Sequence, residues 1–339
     1  MNFKKTALVL AMAGVVSAPI AVQASAGDGA YASIRIGVQM VEANGGFGAV
    51  QTTGSSTVGS DSTTVSGYAS RFGFKSESDL GNGMTGFGEY QFSVNTDSTA
   101  STIGNRLAYV GVKGDFGKVS VGREYATFYD FAVAGTDIPW AGSGYAMVEY
   151  RGRQSNGLSW ASSTGNVSFG ITLQMDGSGL ETTGDQETTD ATELGIAFDA
   201  GFATFGLATL DRSGDKSTGG KDPEMVTALL VSGVAAGPVT LGFGFQTQDN
   251  DGDTTLLANT TTTSMLIDAT FNNIYVHYET KDLDQAGGLG DMDSLAIGYT
   301  KSLGPQTSAW FEYHDVDTDT VDGNSGDSTE LRAIMKYDI

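Results

Sequence analysis

The stretch Val239-Thr240-Leu241-Gly242-Phe243-Gly244-Phe245-Gln246 decides the fold, because large apolar residues alternate in it with small or polar ones. A period of two is that of a β-strand whose two faces meet different environments. The stretch Val167 to Gln174 repeats the pattern. In Phe202 to Leu210 apolar residues fall on both faces, so the pattern does not predict a register there. The best stretches predict strands with an apolar outer face and a polar or small inner face.

The connections between such segments alternate in length along the chain. Short ones are rich in turn-forming residues and fall at Ser76–Gly83, Gly114–Gly117, Ser162–Asn166, Ala200–Gly201, Ala235–Pro238, Asn272–Asn273 and Ser302–Pro305. Long polar ones fall at Val41–Asp61, Asn95–Asn105, Glu124–Met147, Met175–Asp190, Asp211–Asp222, Asp249–Thr261, Lys281–Met292 and Asp315–Asp327. Seven short and eight long connections join sixteen strands, an even number typical of bacterial membrane barrels. The pattern predicts an all-β chain, a sixteen-stranded antiparallel transmembrane β-barrel; a soluble β-sandwich would not sort its connections so regularly.

The first residues have the features of a secretory signal. Lys4 and Lys5 precede an apolar run from Ala7 to Val22, and Ala24-Ser25-Ala26 provides a small-residue cleavage site. We expect residues 1–26 to be removed and residues 27–339 to form a single barrel domain, since no linker or change in composition divides them.

The mature chain is strongly acidic. Without Lys4 and Lys5 it has 18 − 2 = 16 basic and 40 acidic residues, a formal charge of 16 − 40 = −24, which disfavours nucleic acid as a partner. Such acidic loops are consistent with a saline habitat or with divalent cations that bridge the loops to anionic lipids, and the sequence leaves both open. The absence of cysteine excludes disulfides and thiol chemistry.

The long connection Glu124–Met147 contains Phe128, Tyr129, Phe131 and Ile138, which a freely solvated loop would not need. Folded into the barrel, the loop would pack these residues against the inner wall and narrow a channel. Aromatic packing between protomers of an oligomer is the alternative.

Several motifs resemble the general diffusion porins of Gram-negative outer membranes. Gly67 to Lys75 is similar to the second strand of that family, Asp79 to Gly83 to its first periplasmic turn, and Asn105 to Lys113 to its fourth strand. The resemblance implies short periplasmic turns, long extracellular loops, an inward-folded third loop and passive diffusion of small hydrophilic solutes and ions. It also implies a homotrimer in contact with outer-membrane lipid and lipopolysaccharide, and no cofactor or enzymatic activity.

The resemblance also implies a constriction with basic residues on one wall and carboxylates on the third loop. The basic role falls on Arg71 and Arg106, and less directly on Arg153 or Arg151. On the loop, Thr136 to Trp140 resembles the family's tip motif. The resemblance assigns Asp137 and Pro139 to the loop. Trp140 stands where a glutamate often follows the proline, and Asp130 or Glu149 would substitute for that missing acid.

Alternation independently predicts where three arginines point. Arg71 precedes Phe72 on its strand, Arg106 precedes Leu107, and Arg35 lies between Ile34 and Ile36. With Phe72 and Phe74, or Leu107 and Tyr109, facing lipid, the arginines face the lumen. An arginine on the lipid side would cost about 2–4 kcal/mol at mid-depth.

The two sets of charges predict opposite ion preferences. Acidic mouths concentrate cations, while a waist with three or four basic groups and one or two acids favours anions. We expect a weak preference for cations. A solute-specific channel with basic or aromatic tracks along its lumen, or a non-conducting structural or adhesin barrel, is the alternative.

Two other sets of residues are candidate sites. Asp249, Asp251 and Asp253 alternate like calcium ligands but lack the distant glutamate of an EF-hand, so a solvated acidic loop is the simpler interpretation. His277 and His314 are the two histidines, and no serine motif or orienting acid accompanies them as catalysis would require.

The last strand predicts a testable property of assembly. Glu330 to Ile339 resembles the C-terminal signal read by the outer-membrane assembly machinery, except that such strands usually end in phenylalanine. We expect normal insertion in the native host and slower insertion in a foreign one. Pulse-labelled insertion of Ile339→Phe should then be faster than wild type in the foreign host; equal rates would contradict the expectation.

Overall fold

The computed structural model describes residues 29–45, 62–96, 103–139, 144, 146–175, 189–212, 225–249, 261–282, 289–320 and 325–339. Seventeen strand segments form one antiparallel sheet that closes on itself. The segments are β1 Gly29–Gly45, β2 Ser62–Gly67, β3 Arg71–Gly81, β4 Met84–Val94, β5 Ile103–Gly114, β6 Gly117–Tyr125, β7 Arg153–Thr164, β8 Val167–Gln174, β9 Ala191–Asp199, β10 Thr204–Asp211, β11 Met225–Ala236, β12 Val239–Asp249, β13 Thr261–Phe271, β14 Ile274–Asp282, β15 Leu289–Ser302, β16 Thr307–Thr320 and β17 Ser325–Asp338. One short helix, α1 Thr127–Ala132, follows β6. The predicted leader lies outside the described residues.

The segment count agrees with the predicted sixteen-stranded barrel. β2 and β3 pair with successive parts of β1 and are two parts of one barrel strand. They are separated at Ala69, which has a positive φ of 55°. The last strand pairs with the first, and Ala32 and Ile339 exchange backbone hydrogen bonds of 3.1 and 2.9 Å. The barrel is therefore closed by its two ends.

The first short connection is tighter than predicted. The strands run on to Gly81 and from Met84, so the turn is Asn82-Gly83 and not the whole of Ser76–Gly83. Both turn residues have positive φ, 53° and 76°, as a two-residue hairpin turn requires. The polar residues before it had suggested a longer loop, but they belong to the wall.

The prediction of a loop over Asp315–Asp327 is wrong for most of its length. β16 continues to Thr320 and β17 begins at Ser325. Val316 and Thr318 are buried on the inner face, while Asp315 pairs with Thr329 and Asp317 with Asp327 in the ladder. The acidic residues look loop-like because they lie on the outer face beyond the apolar band, where water replaces lipid.

Apolar and polar residues alternate between the two faces of β12 as predicted, whereas β10 is apolar on both faces. On β12, Leu241 is exposed outward and Gln246 is buried inward. On β10, Leu207 is exposed outward, whereas Ala208 and Leu210 are buried in the main apolar cluster. β10 is apolar on both faces because lipid covers one and the third long loop covers the other.

The register of β5 differs from the prediction. Val110 is 61% exposed on the outer face, and the Tyr109 hydroxyl donates a 2.7 Å hydrogen bond to Glu89 on the inner face. Tyr109 therefore does not face lipid. Arg106 nevertheless points inward, because the pairing of β4 with β5 shifts between Gln91 and Phe92. This bulge places Arg106 and Leu107 on the same face, as an extra residue in one strand does.

The register of β5 can be tested by placing a charge at Val110, on its outer face. Val110→Arg should lower the free energy of unfolding by about 2–4 kcal/mol, since it places a charge in lipid. Equilibrium unfolding in vesicles measures the loss. Val110→Leu is the matched control, and a Val110→Arg barrel as stable as that control would place Val110 in the lumen.

Candidate functional site: a constriction inside the barrel

The connection between β6 and β7, residues 126–152, folds into the barrel; we call it the constriction loop. Its helix α1 lies against the inner wall of β8 to β11, with Phe128 and Phe131 buried. The backbone N–H of Phe128 donates a 2.8 Å hydrogen bond to the Glu193 carboxylate, which satisfies a free donor at the helix start. The Thr127 and Thr172 hydroxyls are 2.9 Å apart. The wall therefore supplies both apolar and polar contacts to α1.

The later part of the constriction loop is held by polar side chains of β12 to β14. The Glu279 carboxylate accepts the N–H groups of Gly144 and Ala146 at 2.7 and 2.9 Å. Val148 N–H donates to Ser264 at 3.1 Å and Glu149 N–H to Gln246 at 2.8 Å. Backbone donors that the loop brings into the barrel thus find acceptors on the wall.

A third contact holds the tip of the constriction loop. Ile138 packs against a buried cluster of Tyr68, Tyr275, Trp310 and Ile334. These residues come from the β2–β3 junction, β14, β16 and β17. The described part of the loop is therefore fixed at the wall in three places, and we call the wall formed by β3 to β7 the open side.

Three arginines lie on this open side: Arg71 on β3, Arg106 on β5 and Arg153 on β7; we call them the arginine cluster. Arg106 Nε donates to Gln91 at 2.8 Å, and Arg153 stacks on the Tyr125 ring at 5.5 Å and donates to its hydroxyl at 3.2 Å. Each guanidinium is near enough to the others for mutual repulsion. Among the described residues, none of the three forms a salt bridge with a carboxylate. The open side is therefore locally positive.

Tyrosines connect the arginine cluster to the acid of the constriction loop. Tyr125 and Tyr129 stack at 4.9 Å, and Tyr129 meets Tyr150 edge-on at 5.5 Å. The hydroxyls of Tyr129 and Tyr150 donate to Asp137 at 2.7 and 2.6 Å. Burial, and then the Asp137 charge, raises the pKa of Tyr129, which keeps its hydroxyl protonated as a donor. The loop acid is therefore held in place by neutral donors.

A family model described as Gram-negative porin matches residues 6–321. The match covers nearly the whole chain, and the fold is the barrel that such a family requires. The chain belongs to the Gram-negative porin family. It is accordingly a multi-pass β-barrel of the outer membrane, and the constriction just described lies in the channel of a porin.

Named relatives match parts of this porin. Major outer membrane protein P.IB of Neisseria meningitidis is 33% identical over 140 residues, 40% of this chain and 38% of that protein. Outer membrane porin N of Escherichia coli is 26% identical over 196 residues, 47% of this chain and 50% of that protein. The matches thus span half or less of these relatives.

Solved structures share the fold over almost the whole chain. An anion-selective porin from Comamonas acidovorans has a TM-score of 0.69 and 15% identity, covering 91% of this chain and 98% of that one. OmpF of Salmonella typhi in complex with daunomycin has a TM-score of 0.62 and 16% identity, covering 91% and 97%. At these identities the likeness concerns the fold.

The other basic residues predicted for the wall have different surroundings. Arg35 lies on the inner side of β1, where its Nε donates to Ser33 at 2.9 Å. Arg151 is only 10% exposed and pairs with Glu193 at 2.9 Å, besides donating to Gln174 at 2.7 Å. Arg151 therefore ties the constriction loop to the wall of this porin, away from the arginine cluster.

The predicted acids of the constriction loop also divide. Glu149 forms an ion pair with Arg212 and accepts the Arg151 N–H at 2.7 Å. Asp130 lies on α1 beside Glu124 and Glu193, and Pro139 is buried at the loop tip. Trp140 lies outside the described residues. Of the predicted acids, Asp137 has the contacts with the tyrosines.

The remaining candidates do not form a second site among the described residues. Asp249 is exposed at the end of β12, and Asp251 and Asp253 lie outside the described part of the chain. Within that part there is no group of three histidines or acids that would hold a metal ion. His277 and His314 are both buried in the inner wall, bonded to Glu279 and Ser294 at 2.9 Å each. The prediction that no orienting acid accompanies the histidines is therefore wrong for His277.

Several residues that shape the constriction were not singled out in the sequence. Tyr125, Glu193, Gln246 and Glu279 read as ordinary inward-facing or strand-end residues, and their roles depend on where the loop lands. Arg123 is the exception, since the stretch Val121-Gly122-Arg123 resembles a motif of the same porin family. It donates to the Arg106 carbonyl at 3.1 Å and to Ser155 at 2.8 Å, beside the arginine cluster.

Asp130 predicts a pH dependence of the docked loop. Burial raises its pKa from 3.8 to about 7; Lys118 opposes this, and Glu124 and Glu193 add to it. The folded state thus holds a proton that the unfolded chain releases above pH 3.8, so the stabilisation is complete at low pH and is lost as pH rises through about 7.

We expect the thermal midpoint of wild type to fall more between pH 5 and pH 8 than that of Asp130→Asn. Calorimetry of the two proteins in one detergent measures the difference. Parallel profiles would show that Asp130 does not titrate in this range.

Proposed function

We propose that this porin is a general diffusion channel that passes small hydrophilic solutes and ions through a water-filled lumen. The observation that carries the proposal is the constriction loop, fixed at three places on the inner wall, with the arginine cluster on the open side. A filled or purely structural barrel would need neither an inward loop nor, beside it, guanidinium groups that form no salt bridge with a carboxylate among the described residues.

The channel weakly favours cations at low salt, because the acidic mouths concentrate them before they reach the constriction. The mature charge of 16 − 40 = −24 supports this. The arginine cluster acts in the opposite direction at the narrowest section. Mouth charges act over a Debye length, about 10 Å at 0.1 M salt and 3 Å at 1 M, so the preference shifts towards anions as salt rises.

A second candidate, a solute-specific channel, is favoured by one group of residues on β1 and on β3 to β6. Lys118 lies over the Tyr109 ring at 5.1 Å and over Phe87 at 5.5 Å, and Lys75 lies over Tyr31 at 5.9 Å. Such a basic and aromatic column would retain aromatic solutes. Brief blocks of the ionic current by added aromatic solutes, and not by sugars of similar size, would favour this candidate.

The partners proposed are those of an outer-membrane channel. We propose a homotrimer in contact with outer-membrane lipid and lipopolysaccharide, inserted by the assembly machinery through β17. Chemical cross-linking in native membranes and closures in three equal steps would support the trimer. A thermal shift on adding calcium, absent in Asp249→Asn, would support a calcium site in the loop after β12.

Planar-bilayer recordings under a KCl gradient test the function and its selectivity together. Large ohmic openings should appear, with a reversal potential of the cation-selective sign at low salt that moves towards the anion sign at 1 M. A folded barrel without conductance would overturn the proposal in favour of a structural or adhesin barrel.

The arginine cluster makes a separate prediction. Arg153→Gln should move the reversal potential towards cation selectivity at every salt concentration, because it removes a charge at the narrowest section. Lys301→Gln removes the same charge from the exposed outer face of β15, at the end that leads into a short turn, and should change the reversal potential little. Equal shifts would show that the cluster has no special position on the ion path.

A further inference from the structure

We propose that the width of this channel is set by a notch of glycines in the inner wall, Gly170, Gly195 and Gly206, which receives Phe131 of the constriction loop. Gly170 and Gly195 are then size-determining residues that never touch the solute. The inference deepens the proposed diffusion channel and depends on it for its functional readout.

The notch lies where three neighbouring strands each present a glycine under α1. Gly170 on β8 and Gly195 on β9 are direct cross-strand partners, and Gly195 is opposite Ala208 on β10. Gly206 lies two residues before Ala208, on the same face. The wall is therefore thinnest along one row, and the ring of Phe131, itself 3% exposed, fills that row.

The fit leaves no room for a single added carbon. A Cβ at Gly195 would lie 2.5 Å from Cδ2 and Cγ of Phe131, and one at Gly170 would lie 2.7 Å from its Cε2. A Cβ at Gly206 would collide with the Phe131 carbonyl oxygen. Glycine in a strand often marks such a close approach. Backbone freedom is not the reason, because Gly170, Gly195 and Gly206 are not among the glycines with positive φ.

A larger wall residue would move α1 towards the open lumen. To reach an ordinary contact of 3.4 Å the ring would have to retreat by about 3.4 − 2.5 = 0.9 Å. Phe131 is packed on its other sides by the apolar cluster that includes Leu210 and Val226, and close-packed interiors do not yield locally. Residues two apart on a helix point to nearly opposite sides, so Tyr129 advances towards Tyr125 and the arginine cluster as Phe131 retreats.

The test is a double-mutant cycle on the full-length porin. We expect Gly195→Ala to lower single-channel conductance by roughly a fifth, as expected for a narrower water-filled section. It should also slow liposome swelling with disaccharides more than with monosaccharides. Gly170→Ala is a milder second variant. Phe131→Ala should restore most of the conductance lost in Gly195→Ala, because it removes the two ring contacts at 2.5 Å and leaves the longer contact with Thr127 Cγ2, at 2.9 Å.

Gly244→Ala is the matched control. Gly244 is also a glycine on the inner face, of β12, but a Cβ there would meet only Leu266, at 3.4 Å, an ordinary contact. A Gly195→Ala channel that behaves like the Gly244→Ala channel, or a conductance loss that Phe131→Ala leaves unchanged, would overturn the notch.

Failure of the notch and failure of the channel give different results. If the wild type conducts but the conductance effects of Gly195→Ala and Phe131→Ala are independent of each other, only the proposed notch is rejected. If the wild type does not conduct, the proposed function is rejected. The coupling between Gly195→Ala and Phe131→Ala is then measured by thermal unfolding. There Gly195→Ala should lower the midpoint more in the wild-type background than in the Phe131→Ala background, where only the Thr127 contact at 2.9 Å remains of the three closest; equal lowering in both would overturn the notch.

Discussion

Closure of the backbone ladder is the constraint on which the rest of this structure depends. Lipid offers no hydrogen bonds, so every strand must be paired on both sides. The pairing of β17 with β1, completed by the mutual hydrogen bonds of Ala32 and Ile339, meets that requirement without a free edge. A closed wall leaves one face for lipid and one for water, and the inner face can then carry arginines and carboxylates that lipid would reject.

The closed wall also explains why a long loop can enter the barrel. A loop inside must satisfy its own backbone groups, and it does so on side chains of the wall, with Glu193 at the start of α1 and Glu279, Ser264 and Gln246 further along. The apolar contacts of Phe131 and Ile138 fix it in position. The arginine cluster remains without carboxylate partners among the described residues because the loop's own acids, Glu149 and Asp137, are engaged by Arg212 and by tyrosines.

Much of this fold is predictable from period and turn chemistry, and its departures have local causes. Strand number follows from the alternation of short and long connections. The sequence pattern predicts a loop over Asp315 to Asp319, although these residues continue β16. The prediction fails because the outward-facing residues are no longer apolar where the wall extends beyond lipid. Tyr109 was placed on the wrong face because a bulge leaves no mark in a one-dimensional pattern.

The site was less predictable than the fold. The inward direction of Arg71 follows from its strand, but that of Arg106 depends on the bulge. Arg151 is indistinguishable from Arg153 by residue type and spacing, and only the path of the loop separates their partners. Gly170 and Gly195 read as ordinary small residues of an inner face, because what they make room for is distant in sequence.

The bulge in β5 has a consequence for how this wall can change over generations. After Arg106 in the sequence, the odd-numbered residues Leu107 and Tyr109 face inward. Before it, the odd-numbered residue Ile103 is exposed outward, so the alternation changes face at the bulge. Loss of the extra residue, Arg106, would leave Asn105 outward next to Leu107 inward, which is the ordinary alternation of a strand, so the other side chains of β5 would keep their faces. A single-codon insertion or deletion is thus a unit by which such a channel can acquire or lose a charged group at its narrowest section, with no change to the remaining strands.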